Sequence, residues 1–137
     1  MKRGEWKKMA NEHIKSARAL LASGHNSAAY HLAGLALECA FKAKISRVFK
    51  NDTWPDKTFV QEIHTHDLER LVQQSGLGRA RQMEDQRSPA FRAHWNTVKQ
   101  WRIESRYKEW SPAEATDMVN AAARRGAGVL AWIKRHW

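Results

Sequence analysis

Apolar residues recur along this chain at steps of three and four, the period of a helix that buries one face. Nowhere do they alternate as in a half-buried strand. Over residues 5–23 the stripe is Trp6, Met9, Ala10, His13, Ala17, Leu20 and Leu21, which predicts a first helix. Ser23-Gly24-His25-Asn26 ends it. Glycine suits a left-handed C-cap, and Asn26 or Ser27 can cap the next helix. A connection this short predicts an antiparallel hairpin. The second helix is expected from about Ser27 to Phe49. Ala29, Leu32, Ala33, Ala36, Leu37, Ala40, Phe41, Ile45 and Val48 make it apolar over much of its circumference, the pattern of a helix buried on several sides.

Asn51 to Thr65 contains Trp54-Pro55 and reads as a loop. A short third helix opens at His64 or Thr65, turns Leu68, Leu71 and Val72 inward, and closes at Gly76 and Gly78. Arg79 to Arg87 is strongly charged and reads as a mobile excursion or a frayed helix. Ser88-Pro89 starts a fourth helix, with serine as N-cap and proline in the first position. That helix is expected to reach about Ile103, with Phe91, Trp95, Val98 and Trp101 inside and Glu104 to Trp110 as a loop. Ser111-Pro112-Ala113-Glu114 is a capping box with proline at the first position. Ala115, Met118, Val119, Ala122, Gly126, Val129, Leu130, Ile133 and Trp137 then form one stripe, which predicts a single last helix running nearly to the end. Gly126-Ala127-Gly128 permits close helix contact, within the chain or across a dimer. The expectation is an all-α, four- to five-helix up-and-down bundle. A chain of 137 residues suffices for one core and not for two, so residues 1–137 read as a single domain.

No apolar stretch is long enough to span a membrane; even residues 28–45 carry His31, Glu38, Lys42 and Lys44. The basic N-terminus lacks the apolar run of a secretory signal. A single cysteine, Cys39, cannot form an internal disulfide and reads as a small core residue. A cytoplasmic location is the simplest expectation. Net charge is +10 and unevenly spread. Residues 1–50 hold ten Lys/Arg against three Asp/Glu, and residues 79–110 hold eight against four. Residues 51–78 are acidic on balance, with two against five. A basic field of this kind favours polyanions: RNA, DNA or the phosphates of a nucleotide.

The order and spacing of these features resemble the HEPN family of small helical bundles. The likeness runs over most of the chain. It includes the amphipathic helix beginning at Trp6 and the Ala-rich second helix with Glu38 and Lys42 one turn apart. It includes His66-Asp67-Leu68, with Leu71 a turn on, at the third helix. It includes Arg106-Tyr107 ahead of a final helix ending in Trp132-Ile133-Lys134. The resemblance implies a HEPN-like bundle that usually forms a homodimer. It also implies, for many members, a minimal nucleotidyltransferase as partner in a toxin–antitoxin or defence-type module. Active members are metal-independent RNases with an Arg-x4-6-His motif near the last helical region, often followed closely by Tyr. Here Arg102 corresponds to the family arginine and Tyr107 to the tyrosine. No histidine follows Arg102 until His136, so the general acid/base is missing from its expected place. Arg87 and His94 meet the spacing formally, with Pro89 between them; Arg18 and His25 meet it too, across the first turn.

Arg102, Arg106, Lys108 and Lys99 are the candidate RNA- or nucleotide-binding residues, because guanidinium forks take phosphate bidentately. Tyr107 can stack on a base. Alternatively Arg106 and Tyr107 fix the loop to the bundle, by pairing with Glu104 or Glu38. As an enzyme the chain would be a metal-independent endoribonuclease using Arg102, Arg106 and Tyr107, or Arg87 and His94. As a non-enzyme it would support a nucleotidyltransferase by protein contact. His66 reads as structural, and His13 and His31 as satisfied core residues. His64 and His66 alternate without any Cys/His grouping, so no metal and no cofactor are expected. Trp54 and Trp110 fall in expected loops and can cover the bundle or a partner.

Overall fold

A computed structural model of the chain describes residues 1–47 and 65–137. The described residues form seven α-helices and one 3-10 turn. In chain order these are α1 (Arg3–Ala22), α2 (Asn26–Ser46), α3 (Leu68–Gln74), α4 (Gly78–Arg87), α5 (Pro89–Val98), the 3-10 turn (Ile103–Tyr107), α6 (Pro112–Ala123) and α7 (Val129–Lys134). Val48, Phe49, Trp54-Pro55 and His64 lie outside the described residues. No helix among the described residues is long and apolar enough to cross a membrane.

The hairpin of α1 and α2 forms as its glycine suggests. Gly24 takes φ +81. Its N–H donates to Leu21 and that of His25 to Leu20, so the last carbonyls of α1 are satisfied by a left-handed cap. Gly76 closes α3 in the same way, with φ +78 and the N–H of Leu77 on the carbonyl of Val72. Helix α2 is the axis of the molecule and touches α1, α3, α6, α7 and the 3-10 turn. Ala29, Ala33, Ala36 and Ala40 are fully buried along it, and their small side chains let the neighbours come close. Trp132 of α7 closes the C-terminal half, meeting Phe41 and Phe91 at ring separations of 6.4 and 5.2 Å.

Three expectations are corrected. The described residues alone form seven helices instead of four or five, and residues 79–87 account for one of the extra ones. Helix α4 buries no residue and is laced by its own ion pairs, Arg81–Asp85 at 2.6 Å and Arg87–Glu84 at 2.8 Å. Its high charge is that of a solvated helix and not of a loop. The single last helix is in fact two. Arg124 turns extended, with ψ 138, and Gly126 takes φ +77. A Cβ on Gly128 would lie 2.2 Å from the carbonyl oxygen of Arg124, so only glycine fits. Finally, α5 stops at Val98, and Trp101 turns into the core beyond its end. Residues 103–107, expected as loop, wind into the 3-10 turn.

Candidate functional site

One stripe of α2 is polar although the helix is otherwise apolar. Ser27, His31, Glu38 and Lys42 follow one another, with Gly34 in line, at steps of four, three, four and four. That spacing keeps all five on a single face. Glu38 and Lys42 are almost wholly buried, at 4% and 2% exposure. Lys42 Nζ donates to Glu38 Oε1 at 2.8 Å, and His66 Nδ1 meets the same oxygen at 2.8 Å. Glu38 Oε2 is buried with no hydrogen-bond partner among the described residues. From α1, Trp6 puts its ring 5.4 Å from Lys42 Nζ. His66 reaches Glu38 from the residue before the N-cap of α3, where Asp67 accepts the N–H groups of Glu69 and Arg70. Asp67, not His66, is therefore the cap, and His66 ties the start of α3 to α2.

The N-terminal half of the stripe holds the 3-10 turn. His31 Nδ1 lies 3.1 Å from Ser105 Oγ, and Ser105 is buried. The backbone N–H of Trp110 donates to Ser27 Oγ at 2.9 Å. Its indole N–H donates to the carbonyl of Ser105 at 3.0 Å. The Trp110 ring stacks on Tyr30 at 3.7 Å with planes 7° apart. Gly34 permits the entry of the chain into the turn, because a Cβ there would stand 2.2 Å from the indole of Trp101. Burial lowers the pKa of His31, and the charge of Arg106 lowers it further against the opposing pull of Glu38. His13 on α1 is lowered as well, by burial, against Glu38 and Glu12. Both rings are thus biased toward the neutral form, and His31 serves as a hydrogen-bonding peg under the turn.

The outer surface of the turn carries the candidate residues. Tyr107 is 76% exposed, a high value for an aromatic side chain. Arg106 Nη2 donates to Tyr107 Oη at 2.8 Å, and its guanidinium lies 4.8 Å from the Tyr107 ring centroid. Arg106 pairs with neither Glu104 nor Glu38; Glu38 is occupied by Lys42 and His66. Arg102 is exposed and uses Nη1 on the carbonyls of Lys99 and Trp101, at 2.9 and 2.8 Å. This fixes the guanidinium at the end of α5, next to half-buried Lys99. Lys108 is exposed and sits 5.9 Å from the Trp110 ring. The result is a surface on which exposed Arg102, Arg106 and Lys108 stand beside the exposed Tyr107, with Glu104 and Glu109 also exposed, on a turn pinned from beneath.

Arg87 and His94 engage separate partners. Arg87 makes a two-pronged contact with Glu84, at 3.0 and 2.8 Å. His94 Nδ1 meets the carbonyl of Ala127 at 3.0 Å and so holds the break between α6 and α7. Two open grooves lie away from the turn. One of about 630 Å³ is lined by Asp67, Arg70, Gln73, Arg81 and Trp95. The other, of about 680 Å³, is lined by Met83, Arg87, Trp132 and His136. No group of three or more His, Cys, Asp or Glu able to hold a metal converges among the described residues. What sequence reasoning missed is the stripe itself: His31 and Glu38 position the turn and α3, and the spacing along α2 carries that signal. Comparison with known protein families, with curated proteins and with solved structures gave no match.

Proposed function

We propose that this chain is a HEPN-like protein that binds RNA or a nucleotide through Arg102, Arg106, Tyr107, Lys108 and Lys99, as part of a toxin–antitoxin or defence-type pair. The observation that carries the reading is the pairing of an exposed tyrosine and guanidinium on a turn fixed by His31, Ser27 and Trp110. A surface held this way loses little freedom when it grips a ligand. Arginine supplies phosphate recognition, and the phenol ring supplies a sequence-tolerant stacking face. The two open grooves described above are not lined by residues of the turn, which favours an extended strand over an enclosed small molecule.

Fluorescence titration of RNA and of nucleoside triphosphates at moderate salt, with wild type beside Arg106→Gln/Tyr107→Ala, tests this. Both side chains are exposed, so the fold is expected to survive the change. Loss of one stacked base and one guanidinium contact should weaken binding by roughly tenfold or more. Affinity that is undetectable in the wild type, or unchanged in the variant, overturns the reading. A metal-free cleavage assay on the same samples separates binding from endoribonuclease activity.

A further inference from the structure

Helix α1 has a cationic face. Trp6 and His13 look toward the polar stripe of α2. Lys7, Arg18 and Lys15 stand about 110°, about 130° and about 170° round the helix from that line, and Arg18 and Lys7 reach toward the ends of α6 and α7. Arg18 Nη2 donates to the carbonyl of Ala123 at 2.8 Å, where α6 ends beside Arg124. Lys134 of α7 projects to the same side; burial and the nearby charges of Arg18 and Lys15 lower its pKa. Trp137 anchors this edge, with Lys7 and Lys134 at 5.1 and 5.6 Å from its ring.

Lys15, Arg18, Arg124 and Lys134 are all exposed, and none pairs with a carboxylate among the described residues. Three other surface arginines are paired: Arg81 with Asp85, and Arg87 and Arg135 with Glu84. Lys15, Arg18 and Lys134 lie near one another, and Arg18 reaches the end of α6 beside Arg124, so a second group of uncompensated cations stands along α1 and the ends of α6 and α7. Lys7 to Arg18 spans about 16 Å at the rise of an α-helix. One nucleic-acid strand presents a phosphate about every 3.4 Å in a duplex, so the face is long enough for several.

We infer that Lys15, Arg18, Arg124 and Lys134 form a track for the sugar–phosphate backbone of an RNA strand, distinct from the surface of the 3-10 turn. The inference rests on the reading of the chain as RNA-binding and adds a second contact to it. The track recognises charge and not sequence. Its partner is a run of phosphates, with the turn supplying the stacked base.

The test is the salt dependence of binding to a fluorescent oligouridylate. Each phosphate contact on a single strand adds about 0.7 to the slope of log affinity against log salt. The variant Lys15→Gln/Arg18→Gln/Arg124→Gln/Lys134→Gln should lower that slope by about 3. Arg106→Gln/Tyr107→Ala should lower it by roughly one or less while reducing affinity at every salt concentration. A second variant, Lys15→Glu/Lys134→Glu, leaves the bond from Arg18 to Ala123 in place and should weaken binding further. Inorganic polyphosphate should displace oligouridylate from Arg106→Gln/Tyr107→Ala. An unchanged slope in the fourfold variant and unchanged affinity in the charge reversal overturn the track while leaving the turn reading intact. Loss of binding in the fourfold variant with none in Arg106→Gln/Tyr107→Ala upholds the track and overturns the turn. No binding by the wild type overturns both.

Discussion

Glu38 accepts from two donors on one oxygen and sits among residues that exclude water. A buried carboxylate and ammonium are expensive to desolvate, and the pair is sustained only while both are present. Glu38→Leu alone removes the carboxylate that accepts from Lys42 Nζ at 2.8 Å, while the ammonium stays buried at 2% exposure. The expected loss is about 3–5 kcal/mol, read from urea denaturation. Glu38→Leu with Lys42→Met should recover most of it, because two apolar side chains of similar volume remove both charges together. His66, at 43% side-chain exposure, can then turn to water. A double variant no more stable than the single one would show that the pair does more than compensate its own burial. Gly34 matters in the opposite sense, since its lack of a side chain lets Trp101 lie on α2.

At the scale of elements, the docking of the 3-10 turn depends on a neutral imidazole. Burial and Arg106 hold the pKa of His31 below 6.5. The undocked or unfolded state therefore takes up the proton more readily, and stability is fully present above pH 6.5 and lost as pH falls through the lowered value. His13 and His136 shift in the same direction, so a local readout is needed. Hydrogen-exchange protection factors over residues 103–108 should fall between about pH 7.5 and about pH 5.5 in the wild type and stay flat in His31→Gln. Equal protection at both pH values would remove His31 as the peg. The break between α6 and α7 rests on glycine. Gly128→Ala puts a methyl group into the backbone of Arg124, and a loss of about 1–3 kcal/mol is expected in thermal or urea unfolding, with no gain in helix content. A gain in helicity would mean that the two helices prefer to join. These elements were unequally legible in the sequence. Three- and four-residue spacing marks α1, α2, α3 and α5, and the Ser111/Glu114 box marks the start of α6. The break is hidden because the apolar stripe continues across it, and Gly126 and Gly128 read as packing residues. Helix α4 is hidden because it buries nothing. Arg106 and Tyr107 stood out by residue type. His31 did not, because its partner Ser105 lies 74 positions away.

Across the whole molecule, the surplus of positive charge is a burden on the free protein. A net charge of +10 on 137 residues is self-repulsive, and like charges on neighbouring surface positions cost a few tenths of a kcal/mol each. Lys134 sits near Arg18 and Lys15, and none of the three has an acid in contact among the described residues. In the proposed reading, an RNA strand relieves this cost on binding. Lys15→Gln/Lys134→Gln should therefore make the free protein more stable at low ionic strength, by about 0.5 kcal/mol. The gain should vanish near 1 M salt, where charges are screened over about 3 Å. Oligouridylate should reverse the order: it should raise the melting temperature of the wild type more than that of the variant, because stabilisation follows affinity. A variant less stable than the wild type at low salt would mean that these lysines serve the fold and that their charge is already compensated within the chain.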